Sequence, residues 1–205
     1  MKGNGADSRV SNMPTAVGVI VLGIDPPQWI PGAYVQFLRV DGDELSDPIQ
    51  DEKRLDGALI DVLRQLDELL KLNITSAVDI VSEDRERRRS DYPLAALQQL
   101  ARNAVMHRDY EVSTAPTRIT WYADRIEITS PGGPYGSVTP ENFGRPGITD
   151  YRNPAIAEAM RALGYVQRFG AGLVIANRAL VDNGNPPPEF DVTSSYVNVT
   201  VRRKP

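Results

Sequence analysis

The sequence contains no cysteine, which excludes disulfides, thiolate zinc sites and cysteine nucleophiles together. It has one histidine, His107, so a multi-histidine metal centre is excluded as well. Long apolar runs are missing too. The longest, Val17–Ile24, is interrupted by Gly18 and Gly23 and falls far short of the ~20 residues that span a bilayer. Nothing after Met1 has the basic start, apolar stretch and small-residue cleavage site of a secretory leader. A cytoplasmic protein without a membrane partner is the expectation. There is no Gly-x-x-x-x-Gly-Lys-Ser/Thr stretch, so a phosphate-loop motor is excluded. Internal repeats and low-complexity blocks are also lacking.

What is present is ordinary for a globular chain. The 205 residues are 41% apolar and 24% charged, enough for one large domain or two small ones. The net charge of -4 argues against broad non-specific binding to nucleic acid. That charge is uneven. Residues 1–90 carry 11 Lys and Arg against 16 Asp and Glu, giving -5, whereas residues 91–205 carry 12 against 11, giving +1.

Taken in order, residues 1–14 are rich in Gly, Asn and Ser and read as a flexible lead-in. Thr15–Ile24 is β-branched and apolar without polar alternation, which predicts a strand buried on both faces. Ala33–Val40 reads as a second strand, ending in the Asp41-Gly-Asp turn. From Asp51 to Leu72, Leu55, Leu59, Val62, Leu63, Leu66, Leu69 and Leu70 follow a helical period, and Gly57 interrupts that helix. Ser76–Val81 reads as a strand. Residues 83–91, with Arg85, Arg87, Arg88 and Arg89, read as a mixed-charge linker: a solvated segment, or a contact for phosphate.

The second half opens on a helix preceded by Asp91-Tyr-Pro93. Leu94, Leu97, Leu100, Ala101, Ala104 and Val105 form its apolar stripe, and Gln99, Asn103 and His107, each four apart, form a polar stripe beside it. Such a polar stripe is also ordinary for a half-buried helix. Thr117–Tyr122 and Arg125–Thr129 read as strands, followed by the turn Ser130-Pro-Gly132-Gly133-Pro. Pro140–Phe143 reads as a short helix. Asn153 and Pro154 begin another that stops at Gly164. Gly170-Ala-Gly172 precedes a helix running to about Val181 and would let backbone N–H groups approach an anion. Glu189–Thr193 and Tyr196–Arg202 alternate as antiparallel strands. The expectation is an α+β fold, a mixed or antiparallel sheet backed by helices on one face.

Four stretches carry a resemblance: Asn103-Ala-Val-Met-His-Arg-Asp-Tyr110, Asp124-Arg-Ile-Glu-Ile-Thr-Ser-Pro-Gly-Gly133, Tyr151-Arg-Asn-Pro and Arg168-Phe-Gly-Ala-Gly-Leu173. Their order resembles the ATPase-like C-terminal domain of proteins labelled RecG-related helicases or transcriptional regulators. That domain is a divergent relative of the GHKL fold of gyrase, heat-shock chaperones, histidine kinases and MutL. The resemblance covers roughly residues 92–205. Residues 15–82, through Gly18-Val-Ile-Val-Leu-Gly-Ile and Ala33-Tyr-Val-Gln-Phe-Leu-Arg-Val, resemble the closing part of a Schlafen AlbA-like domain whose front half, with any DNA contacts, is missing here.

The resemblance implies ATP and Mg²⁺ as ligands, and a regulatory, DNA-associated role rather than a motor. Asn103 matches the family's Mg²⁺-holding asparagine. Gln99 stands where the family has the glutamate that polarises water, so at most a very weak ATPase is implied, since a carboxamide cannot take a proton. Ser130 stands in place of the adenine-reading aspartate, ahead of Gly132. Gly170 and Gly172 are implied phosphate contacts, with Arg152 beside them, and His107 belongs to the conserved His-Arg-Asp-Tyr ending. A domain that binds no nucleotide and uses its strands to form a homodimer is the competing expectation.

Overall fold

The computed structural model describes residues 14–74, 76–79, 87–145, 147–166 and 170–204, the segments 76–79 and 87–89 as backbone alone. Residues 1–13 of the expected lead-in, residues 80–81 of the expected strand and residues 83–86 of the expected linker lie outside the described residues.

The chain runs α1 (Ala16–Leu22), β1 (Val35–Val40), β2 (Ile49–Leu55), α2 (Leu59–Asn73), β3 (Ser76–Asp79), β4 (Arg87–Ser90) and α3 (Leu94–His107). It continues through β5 (Thr117–Trp121), β6 (Arg125–Pro131), α4 (Pro154–Ala162), α5 (Gly172–Asn183), β7 (Glu189–Val192) and β8 (Tyr196–Arg202). Six strands make one mixed sheet in the order β2-β1-β5-β6-β8-β7; β3 and β4 form a separate ribbon. The pair β1 and β5 is parallel, with Val35 opposite Thr117, and its neighbours are antiparallel. A parallel pair needs a long crossover, and here it carries α2 and α3 onto one sheet face. The fold is α+β, as an ATPase-like sandwich requires.

The core lies between that face and the helices. Phe37, Ile119, Ile126, Ile128 and Val201 point inward from alternate strand positions, against Leu63, Leu66 and Leu70 of α2 and Leu97, Leu100 and Ala101 of α3. Each fully buried side chain of this size contributes roughly 1.5–3 kcal/mol. On the other face the same strands present a polar row. There Arg118 donates to Gln36, Gln36 to Glu52, and Thr129 to Asn198.

Four local expectations are corrected. Thr15–Ile24 is the helix α1 rather than a strand: Thr15 accepts from the Gly18 N–H at 3.1 Å as an N-cap, and Leu22 and Ile24 are 79% and 96% exposed rather than buried on both faces. A short apolar run cannot be assigned by periodicity alone. The single helix expected over Asp51–Leu72 is two elements. Asp51–Leu55 pairs with β1, Gly57 turns the chain at φ 107°, and only then does α2 begin. Gly57 is therefore a turn residue, not a weak point inside a helix. Pro140–Phe143 is a turn, closed by Asn142, whose Oδ1 accepts from the Thr139 N–H at 2.7 Å. Where a solvated linker is expected, Arg87–Ser90 forms β4, paired with β3.

Candidate functional site

The polar stripe of α3 turns towards a pocket of about 160 Å³. One buried water needs about 10–15 Å³ on that measure, so the space suits a ligand rather than a trapped water. Gln99, Asn103 and His107 form one wall, Ser130 and Gly132 another, and Arg152, Gly170 and Gly172 close it. All eight of the residues singled out in the sequence therefore meet at one pocket, although they span more than seventy positions.

Gln99 and Asn103 are half-buried, and among the described residues neither side chain makes a hydrogen bond. They face the first turn of α5. A Cβ added at Gly172 would lie 3.0 Å from Asn103 Nδ2 and 3.2 Å from Gln99 Oε1. Glycine thus brings the α5 backbone against the two carboxamides. No side chain caps α5, so its first N–H groups are left to other partners. Gly170 has φ 75°, and a Cβ there would meet Thr149 Cγ2 at 2.6 Å.

Ser130 is buried, and its hydroxyl donates to the Ala104 carbonyl at 2.7 Å. It ties β6 to α3 and offers the pocket only a neutral acceptor lone pair. Arg152 is largely buried, its side chain 21% exposed. Its guanidinium pairs with Asp109 at 3.1 Å, donates to the Gly133 carbonyl at 3.1 Å and lies over the Tyr135 ring. It clamps the glycine turn to the end of α3.

The His-Arg-Asp-Tyr ending is a lock for that helix end. His107 stacks on Tyr151 with centroids 5.5 Å apart. Burial, and then the charge of Arg152, push its imidazole down to about 4, so it is neutral at neutral pH. Arg108 is fully buried and gathers the loop carbonyls of Ser113 and Ala115 together with that of Asp109. Burial pulls its guanidinium down, opposed by Tyr110 and Asp109. Burial pushes the Asp109 carboxyl up, but the N–H groups of Val112 and Glu111, with Arg152 and Arg108, hold it net below the usual carboxylate range. The Tyr110 hydroxyl donates to the Val105 carbonyl at 2.9 Å.

Tyr151 and Asn153 complete the clamp, and sequence reasoning gave neither a role at the site. Burial raises the Tyr151 phenol, and a hydrogen bond from the Gly170 N–H draws it back. Asn153 heads α4 without using its side chain as a cap. Its Nδ2 instead donates to the Met106 and Arg108 carbonyls at 2.9 and 2.7 Å, satisfying the end of α3. Both residues lie in the quoted Tyr-Arg-Asn-Pro stretch, which was the available signal. Phe143 and Phe190, 5.3 Å apart, form an apolar rim that no motif announced.

The donor set fits Mg²⁺ poorly. No cluster of three metal-ligating side chains exists among the described residues. The pocket's carboxylate, Asp150, has both oxygens engaged by the Ser137 and Tyr151 N–H groups, and Asp109 is held by Arg152. Asn103 Oδ1 and Gln99 Oε1 remain. Mg²⁺ ordinarily takes one or two carboxylates with the substrate's phosphates, so the described residues by themselves supply a poor ligand set for the free ion.

Residues 115–201 match the family model described as "Putative ATP-dependent DNA helicase recG C-terminal". Among curated proteins there is no match. Among solved structures, the crystal structure of the DIP2311 protein from Corynebacterium diphtheriae is similar, with a TM-score of 0.70 at 22% identity. The similarity covers 83% of this chain and 35% of that one, so this chain spans about a third of that protein, and the likeness is one of fold. Over residues 115–201, then, the chain is similar to the ATPase-like C-terminal domain of RecG-type proteins.

Proposed function

We propose that this chain is a nucleotide-binding, ligand-sensing module of a DNA-associated regulator, and that it turns its ligand over barely or not at all. The observation that carries this reading is the convergence of Gln99, Asn103, Ser130, Gly170 and Gly172 on one open pocket. Carboxamides and backbone N–H groups bind neutral edges and anions well, but neither removes a proton from water. Among the described residues the pocket has no carboxylate free to do so, which separates binding from hydrolysis. DNA contact would belong to a part of the protein other than this chain, whose net charge is -4. Residues 15–82 would then be the tail of an AlbA-like domain.

Calorimetric titration with ATP and ADP, with and without Mg²⁺, tests the reading. Saturable heat with little dependence on Mg²⁺, and phosphate release near background, is the expected result. Absence of both heat and a melting shift at millimolar ATP would leave a structural or dimerising domain as the better reading.

A further inference from the structure

Besides Asp150, three arginines contribute charge to the pocket wall: Arg102, Arg145 and Arg152. Two of them are committed. Arg102 pairs with Asp67 of α2, donates to the Tyr165 carbonyl at 3.2 Å and lies over the Tyr165 ring. Arg152 is held by Asp109 and the Gly133 carbonyl. Arg145 is different: among the described residues its side chain has no ion pair, hydrogen bond or ring contact. Asp150 makes no ion pair with it among the described residues: its two carboxylate oxygens accept from the Ser137 and Tyr151 N–H groups at 3.1 and 2.9 Å. Among the described residues, the wall therefore carries one positive charge without a partner.

The placement of Arg145 is also specific. Its neighbour Gly144 lies beside Leu173: a Cβ there would be 3.9 Å from Leu173 Cδ1. Further along the same loop, Thr149 packs on Gly170. The loop thus crosses the pocket where Gln99 and Asn103 face Gly172. Gly144 and Gly147 adopt φ 75° and 83°, conformations that fix the direction of the loop on either side of Arg145.

We propose that Arg145 is the residue that binds the anionic tail of the pocket's ligand and so selects phosphorylated over unphosphorylated nucleosides. This rests on the nucleotide-binding reading above. A guanidinium meets a phosphate through paired, charge-assisted hydrogen bonds. Arg145 is exposed and gives up no existing contact to do so. The tail would then lie at the loop end of the pocket, and the base towards Ser130 and β6.

The test compares ATP, ADP and adenosine on the whole chain, as wild type, Arg145→Gln and Arg145→Lys, with melting temperature as the control for folding. Arg145→Gln should weaken ATP about ten-fold or more, as loss of a charge-assisted bond requires. Adenosine affinity and melting temperature should not change. Arg145→Lys should recover part of the loss, because charge remains without the bidentate fork. The salt dependence of ATP binding should flatten in Arg145→Gln. Equal ATP affinity in wild type and Arg145→Gln overturns the inference while leaving the nucleotide reading intact. Equal loss for ATP and adenosine also overturns it, since Arg145 would then not discriminate the tail. If the wild type binds none of the three, the nucleotide reading has failed, and the inference with it.

Discussion

At the residue scale, the pocket is built from side chains that accept or donate but do not take a proton. Gln99 lines the pocket from α3, and His107 lies eight residues on, roughly 12 Å along the axis, stacked on Tyr151. A positioned general base contributes ~10²–10⁴-fold. Gln99→Glu should therefore raise phosphate release measurably above wild type, and Gln99→Glu/Asn103→Ala should lose that gain; turnover by wild type that survives Asn103→Ala would put the chemistry elsewhere. His107 also predicts a pH dependence. Its folded pKa of about 4 lies below the ordinary 6.5, so the unfolded chain binds the extra proton between those values. Stability should be full above about pH 6.5 and fall as pH drops towards 4, by up to about 3 kcal/mol. Urea melts of wild type and His107→Gln across that window check the sign: the variant's curve should be the flatter. Arg108, without any exposed surface, donates to loop carbonyls that no other hydrogen bond among the described residues reaches, so Arg108→Met should cost about 3 kcal/mol or more in the same melts.

At the scale of elements, α3 is the axis of the site, and the sequence marked it well. Its apolar and polar stripes differ in period phase, so both survive as faces of one helix, buried against the sheet and turned to the pocket. Its end was less visible. The Asn153 side chain crosses from α4 to cap α3, and Arg152 pairs with Asp109, contacts between residues more than forty positions apart that no local pattern encodes. The failures at α1 and β2 have the opposite cause. Val17–Ile24 and Asp51–Leu55 carry local patterns that suit more than one conformation, and tertiary pairing chose: β2 is the sheet's edge because β1 was there to receive it. The contact between α3 and α5 gives a further prediction. Gly172→Ala asks the carboxamides to yield only a few tenths of an ångström and should fold and bind. Gly172→Val should displace Gln99 and Asn103 and abolish ATP binding in a titration, with little change in melting temperature.

At the scale of the molecule, the sheet takes β1 and β2 from the segment expected to be AlbA-like and β5 to β8 from the ATPase-like segment. The -5 of residues 1–90 sits beside the near-neutral half that holds the pocket. Binding of duplex DNA should therefore be weak, with Kd at or above the ~10⁻⁴–10⁻⁶ M non-specific range. A mobility shift at nanomolar protein in physiological salt would contradict this, and substituting Arg87, Arg88 and Arg89 of β4 would then locate the contact. Whether a nucleotide binds in the pocket between α3, β6 and α5 is decided by amide hydrogen exchange with and without ATP. Slowed exchange is expected in the first turn of α5 around Gly172 and in the Gly132-Gly133 turn alone, and none of it in Gly172→Val. Protection elsewhere on the sheet, or unchanged exchange at saturating ATP, would contradict binding in that pocket.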